Sequence, residues 1–292
     1  MPSRMLTVEG RRDVHEKVSV WKRAGLRVGF VPTMGALHEG HLELVRQALR
    51  ENDRVVASIF VNPLQFGPNE DFTRYPRTLD VDSRMLDSVG CHAVYLPQVE
   101  EMYPSGADTH VVQEVAPKYL CGEFRPGHFT GVLTVVAKLI AQVAPHVLYL
   151  GRKDFQQVVA ITRMVRHLDL DLELEVRACA TVREPDGLAL SSRNRYLTPE
   201  ERTVAPTIKR ALDAVVAKFA AGEHRVDVLE AHGRLVLDAA SAFRIQYLQV
   251  VDSETCTPRV LGNAIALRTD TVAVAAYLGS TRLIDNVPLT GS

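Results

Sequence analysis

The chain has 292 residues, 46% of them apolar, with 34 basic residues against 35 acidic ones. It is too long for one small domain and too apolar for global disorder, and a net charge of −1 favours neither nucleic acid nor an anionic membrane as its main partner. Cys91, Cys121, Cys179 and Cys256 are scattered with no Cys-x-x-Cys pair, which argues against a zinc site or a disulfide framework and fits a reducing, cytoplasmic setting.

Met1 to Met5 lead into a polar segment without an apolar core, so no secretory signal is expected. Arg27–Val31 reads as a short buried strand. A glycine-containing turn follows, and then Leu42, Val45, Ala48 and Leu49 at helical spacing place His41 at or just inside a helix N-terminus. Val55–Val61 is a β-branched strand stopped by Asn62-Pro63, Leu79–Val89 a helix closed by Gly90, and Ala93–Leu96 a strand stopped by Pro97. Val132–Val143 reads as a helix and His146–Leu150 as a strand; Lys138, Gln142 and Pro145 interrupt this apolar stretch, which is therefore no membrane span. Asp154–Leu168 is a helix that Asp154 can cap, and Leu172–Ala178 a strand.

Strands alternating with helices predict a Rossmann-like α/β domain over residues 1–184, a parallel sheet with helices on both faces. After Pro185-Asp186-Gly187 come a helix start at Thr198-Pro199-Glu200-Glu201 and alanine-rich helices over Val204–Ala221 and Val226–Ala240. Strands over Ile245–Val251, Ala264–Leu267 and Thr271–Tyr277, expected to be antiparallel, complete a smaller C-terminal α+β lid domain, 185–292. There is no repeat or low-complexity segment. Ligands of parallel sheets lie beyond the carboxyl ends of the strands. Met34–His41, Asn62–Gln65, Gly151–Asp154 and Ser191–Arg193 are all expected to follow strands.

The turn Met34-Gly35-Ala36-Leu37-His38-Glu39-Gly40-His41 is the most informative segment. A strand-to-helix turn gathers unpaired N–H groups at the positive end of a helix dipole, a natural seat for phosphate, and His38 and His41 would face it together. A metal pair is the alternative, but the Glu of a His-Glu-x-x-His helix is missing and Gly40 weakens any such helix. A plain turn with two solvated histidines also stays open on these residues alone.

Six blocks in order then carry a resemblance: Val31 to His41, Ser58 to Phe66, Tyr75-Pro76-Arg77-Thr78, Arg125 to Phe129, Lys153 to Gln157, and Asp186 to Asn194. From about residue 20 to 287 the chain closely resembles the pantoate–β-alanine ligase (pantothenate synthetase) family, of the His-x-Gly-His nucleotidyltransferase superfamily. The resemblance implies that ATP and pantoate form pantoyl-adenylate and pyrophosphate, and that β-alanine then displaces AMP to give pantothenate. It implies Mg²⁺ beside ATP, small-molecule partners and a homodimer built on the N-terminal domain.

Residue by residue, the resemblance implies phosphate contacts at His38 and His41, with Met34, Gly35, Ala36, Leu37, Glu39 and Gly40 completing the ATP cradle. Lys153 is implied as a charge on the phosphates and Asp154 as a ribose acceptor, in the block Gly151-Arg152-Lys153-Asp154. Val182 and Leu190 fall at nucleotide positions, and Ser191, Ser192 and Arg193 offer donors to the leaving pyrophosphate. Gln65 and Gln157 match pantoate-holding glutamines, with Phe60, Asn62 and Phe66 shaping that pocket and the β-alanine entrance. Arg125 and His128 lie in a block beside the site, Tyr75 and Arg77 brace a loop, and Asp82 could approach Mg²⁺ through water or be solvated surface.

Two positions depart from the family pattern: Arg152 stands where glutamate is usual, and Ala180 where proline is frequent. A nucleotidylyltransferase that stops at a nucleotide-coupled product is the nearest rival, disfavoured by the Gln65, Gln157 and Ser191–Arg193 blocks. A catalytically weak ATP-binding regulator is the rival from another class, for which Arg152 is the one hint.

Overall fold

The computed structural model describes residues 5–67, 72–259 and 264–290; Met1–Arg4, where the expected leaderless start begins, lie outside the described residues. Two compact units form. One comprises Met1–Gln113, Arg125–Gly151 and Ala160–Ala180, the other Glu114–Phe124, Arg152–Val159 and Thr181–Ser292. This division differs from a single cut after residue 184 by starting the main part of the second unit at Thr181 and by adding two short internal segments to it.

The first unit is built on six parallel strands: β1 (Leu6–Val8), β2 (Val28–Thr33), β3 (Arg54–Ile59), β4 (Ala93–Tyr95), β5 (Val147–Gly151) and β6 (Glu175–Cys179), in the order β1-β4-β3-β2-β5-β6. From β2 the chain winds outward through β3 to β4, then returns to β5 on the other side, the reversal that defines a switch point. The β2–β5 ladder holds only Gly29–Val147 and Phe30–Leu148, although β2 runs on to Thr33 and β5 to Gly151. Their carboxyl ends therefore part and leave a crevice.

Helices cover both faces. On one, α2 (Glu39–Glu51) and α3 (Leu79–Ser88) bury Leu42, Val45, Ala48 and Leu86 against Val31, Val55, Ala57, Val94 and Tyr149. On the other, α1 (Arg11–Arg23) buries Val14, Val18 and Trp21, and packs with the apolar helix α6 (His128–Val143). In chain order two short helices, α4 (Val99–Met102) and α5 (Cys121–Phe124, in the second unit), come between α3 and α6, and α7 (Phe155–His167) follows β5. Asp154 ends a 3₁₀ turn, Arg152–Asp154, that runs straight into α7, whose first residue is Phe155.

The second unit pairs α9 (Thr207–Ala220) and α10 (Val226–Asp238) with the antiparallel sheet β7-β8-β9: Phe243–Val251, Thr271–Leu278 and Thr281–Pro288. Leu212, Val215 and Leu229 meet Leu248, Val250, Val272 and Val274 in its core. The expected helix Val204–Ala221 is two helices, because α8 (Pro199–Val204) stops before Pro206, which has no N–H for a helical ladder. Ala264–Leu267 is not a strand; it makes a single bridge, Ile265 to Arg225. The third strand is instead β9, a two-residue hairpin away from β8. Among the described residues no helix is long and apolar enough to cross a membrane.

Candidate active site

The turn after β2 is shaped from below. Thr33 donates its hydroxyl to the Ser58 carbonyl at 2.7 Å and accepts the Gly35 N–H at 3.2 Å. Gly35 adopts φ +80°, and a Cβ there would sit 3.0 Å from both an Asp82 carboxylate oxygen and Ile59 Cγ2, so glycine alone fits. Ala36 follows at φ +50°. The Ala36 and Leu37 N–H groups both donate to Asp82, each at 2.9 Å, and the Thr78 hydroxyl lies 3.1 and 3.2 Å from the two carboxylate oxygens.

Asp82 is 1% exposed and therefore no solvated surface group. Both its oxygens are committed to the turn, which also removes it as a ready metal ligand. Among the described residues no group of three His, Cys, Asp or Glu side chains could hold a metal ion.

His38 is the N-cap of α2, and the two histidines cap one another. The Gly40 N–H donates to His38 Nδ1 at 3.1 Å, and the His38 N–H to His41 Nδ1 at 3.3 Å. Their ring centroids are 4.1 Å apart. A neutral imidazole that accepts at Nδ1 carries its proton on Nε2, so both rings are Nε2–H donors in this arrangement. Glu39 is exposed and its carboxylate pairs with Arg46, leaving its backbone as its contribution to the turn. The pair thus sits at a helix N-terminus directly beyond β2, beside the β2–β5 crevice.

Beyond β3, Gln65 is 8% exposed, and its amide nitrogen lies 2.7 Å from Met34 Sδ. Asn62 behind it is 1% exposed, with all four hydrogen-bonding positions filled. Its nitrogen donates to Gln65 Oε1 and the Gly131 carbonyl, and its oxygen accepts the Leu64 N–H and the Tyr103 hydroxyl. Asn62 therefore braces Gln65 through its side-chain amide. His128 Nδ1 lies 2.7 Å from the Gln65 carbonyl, which can only accept, while His128 Nε2 lies 3.0 Å from Arg125, which can only donate. This fixes His128 as the Nδ1–H tautomer, opposite to that of His38 and His41. Phe60 is buried beside Tyr103, Phe66 packs edge-on against Tyr75 at 5.7 Å, and Arg77 lies over Phe72.

In the second unit, Lys153 is half-buried, with Asp154 3.6 Å from its ammonium, and Arg152 is exposed. Asn286 donates to the carbonyls of Arg152 and Lys153. Gln157 is half-buried on the first turn of α7, whereas its neighbour Gln156 is buried and holds the backbone at Ala116, Tyr119 and Cys121. Ser191 caps the 3₁₀ turn Ser192–Tyr196, accepting the Arg193 N–H. That turn follows no strand. It leaves a small loop closed by the Arg183–Ala189 bridge and by the Leu190 N–H donating to the Val182 carbonyl. Ala180, where proline is frequent, is exposed.

All four cysteines are buried, and none is in a disulfide. Burial pushes the Cys91 thiol up to about 12 and Cys179 to about 11, so neither is a poised nucleophile.

A switch-point sheet whose central strand leads into two imidazoles at a helix N-terminus belongs to the nucleotide-binding class of α/β folds. The family model described as pantoate–β-alanine ligase matches residues 6–288. The chain belongs to the pantoate–β-alanine ligase family. It is 57% identical over 262 residues to a pantothenate synthetase of Acidobacterium capsulatum, covering 90% of this chain and 86% of that protein. It is 48% identical to that of Syntrophobacter fumaroxidans, over 97% and 98% of the two chains. Its structure is similar to a crystal structure of pantothenate synthetase from Thermus thermophilus, with TM-score 0.88 and 46% identity over 98% of this chain and 99% of the other. It is also similar, at TM-score 0.76 and 33% identity over 99% of each chain, to a Francisella tularensis pantoate–β-alanine ligase complexed with beta-gamma ATP and β-alanine.

Proposed function

We propose that this ligase condenses pantoate with β-alanine in two half-reactions. The pantoate carboxylate attacks the α-phosphorus of ATP, forming pantoyl-adenylate and expelling pyrophosphate. The β-alanine amine then attacks the acyl carbon, the amide C–N bond forms, the C–O bond to AMP breaks, and the amine sheds a proton. A carboxylate is a poor acyl donor; its mixed anhydride with AMP has a good leaving group.

The observation that carries this reading is the His38–His41 pair at the N-terminus of α2 beside the β2–β5 crevice. Their Nε2–H groups at the positive end of α2 supply fixed donors to phosphoryl oxygens, while the Met34–His41 backbone, its N–H groups largely bonded to Thr33, Asp82 and the two imidazoles, holds them in place. His38, His41 and Lys153 neutralise charge as the α-phosphate reacts, with Gly151 and Arg152 setting the backbone before Lys153. Asp154 takes a ribose hydroxyl, Val182 and Leu190 border the nucleotide, and Ser191, Ser192 and Arg193 take the pyrophosphate. Gln65 and Gln157 hold pantoate with Phe60 beside them, and Asn62 acts through Gln65.

The donor set does not fit a protein-held metal, so Mg²⁺ belongs to this proposal only as the companion of ATP's own phosphates. Homodimer formation through the N-terminal domain and a cytoplasmic home, suited to four cysteines outside any disulfide, belong to the same proposal.

ATP–pyrophosphate exchange with pantoate present and β-alanine absent is the test. Pantoate-dependent exchange is expected, with AMP and pantothenate appearing on adding β-alanine. ATP binding without exchange overturns the reading.

A further inference from the structure

We infer that Asp285 and Asn286, adjacent on β9, are positioning residues that hold the Lys153 turn and the loop leading to Ser191–Arg193 in one register. The inference rests on the phosphate roles proposed for those segments.

The sheet alternation would place two neighbouring side chains on opposite faces, yet both are polar and buried, at 3% and 7% exposure. Burying such groups is unfavourable without full pairing, and each is paired to one of the two segments. Asn286 Nδ2 donates to the Arg152 carbonyl at 2.8 Å and the Lys153 carbonyl at 3.1 Å. These oxygens belong to the 3₁₀ turn Arg152–Asp154 that runs straight into α7. Asp285 takes Arg183 in a two-point pair, at 2.6 and 3.0 Å, and accepts the Asn286 N–H at 2.8 Å. Arg183 in turn donates to the Gly187 carbonyl at 3.0 Å. The loop so fixed, 183–190, delivers the Ser191 cap and the Arg193 side chain.

One strand thus bonds directly to the segments flanking both proposed phosphate-binding groups. Phosphoryl transfer depends on donors being held in place before charge develops, and a displacement near 1 Å can cost on the order of 100-fold in rate. The role should therefore show in adenylate formation, where the α-phosphorus is attacked and charge develops on the departing pyrophosphate, far more than in the second half-reaction, where the attack is on the acyl carbon.

The test uses the full chain carrying Asn286→Asp, which keeps size and removes the donor, and Arg183→Lys, which keeps charge and removes the two-point geometry. Exchange and single-turnover amide formation from synthetic pantoyl-adenylate with β-alanine are measured beside the melting temperature. A fall in exchange kcat of tenfold or more, to about 100-fold, with amide formation within about twofold of the unaltered enzyme, is expected for Asn286→Asp. Arg183→Lys should fall less, in the same pattern. Unchanged exchange, or parallel loss of both half-reactions with the melting temperature, overturns the inference while leaving the functional reading intact. No exchange by the unaltered enzyme overturns that reading and this inference together.

Discussion

Asp82 lies 46 residues beyond Ala36, yet its carboxylate accepts the Ala36 N–H at 2.9 Å and so fixes the turn that leads to the histidines. A second N–H, from Leu37, reaches its other oxygen. Asp82→Ala strands both donors in a buried place, at about 1–3 kcal/mol each. Asp82→Asn keeps one acceptor and presents an amide N–H₂ where the other N–H points. We expect urea midpoints in the order unaltered, Asn, Ala, with exchange falling along the same series. An Asp82→Ala protein with unaltered midpoint and exchange would remove Asp82 from the turn's support.

The mutual capping of His38 and His41 allows structure and chemistry to be separated. Asparagine at position 41 places an acceptor near the site of Nδ1 and has nothing at the site of Nε2. His41→Asn should fold with nearly the same melting temperature while losing exchange by about 10²–10³-fold, the range for removing one charge-stabilising donor. His41→Ala should lose exchange and also destabilise the N-terminus of α2, by about 1 kcal/mol. Full exchange by His41→Asn would show that the capping bond, and not the Nε2–H, is what matters.

At the opposite ends of the strands two other histidines act as acceptors. His92 Nδ1 takes the Val55 N–H at 3.1 Å and His146 Nδ1 the Val28 N–H at 2.9 Å. Burial, then the charge of Arg54, lowers the pKa of His92; burial, then Lys22 and Arg27, lowers that of His146. The unfolded chain titrates near 6.5 and holds more protons than the fold between the two values. This contribution to stability is thus complete above about pH 6.5 and is lost as pH falls through the lowered folded values. The urea midpoint should therefore begin to drop as pH falls below about 6.5, above the range where most carboxylates titrate. His92→Asn with His146→Asn should flatten that slope; an unchanged slope would assign it to other groups.

The β-branched runs at Val28–Val31 and Val55–Ala57 announce their strands because a parallel sheet covered on both faces is apolar along its length. β9 escapes that logic. Asp285 and Asn286 break its apolar pattern, and their burial makes sense only with Arg183 and the 152–153 carbonyls, 102 and 134 residues away. Ala264–Leu267 errs the other way, an apolar run that buries Ala266 while Ile265 and Leu267 stay exposed. The histidine turn was legible from its local spacing. The Asp82 clamp and the filled valences of Asn62 were not, since each joins segments distant in sequence. The local sequence at Asn62 carries no sign that its amide bonds Gln65, Gly131, Leu64 and Tyr103 at once.

Gly131 gives the most direct test of how Gln65 is held. A Cβ at Gly131 would lie 2.3 Å from the Leu64 carbonyl oxygen and 2.7 Å from the Gln65 nitrogen, both backbone atoms that cannot swing aside. Gly131→Ala must therefore push α6 away from the Pro63–Gln65 turn, straining the Asn62 bond to the Gly131 carbonyl and the His128 bond to Gln65. Overpacking of this kind costs about 1–3 kcal/mol of stability. Because the displaced group is the proposed pantoate amide, the KM for pantoate should rise roughly tenfold for every 1.4 kcal/mol by which pantoate binding weakens. The KM for ATP should move little, since the histidine turn hangs from Thr33 and Asp82 instead. Steady-state kinetics in each substrate, with a melting curve as control, decide it: equal rises in both KM values would mean that Gly131 supports the sheet as a whole and not the Gln65 turn.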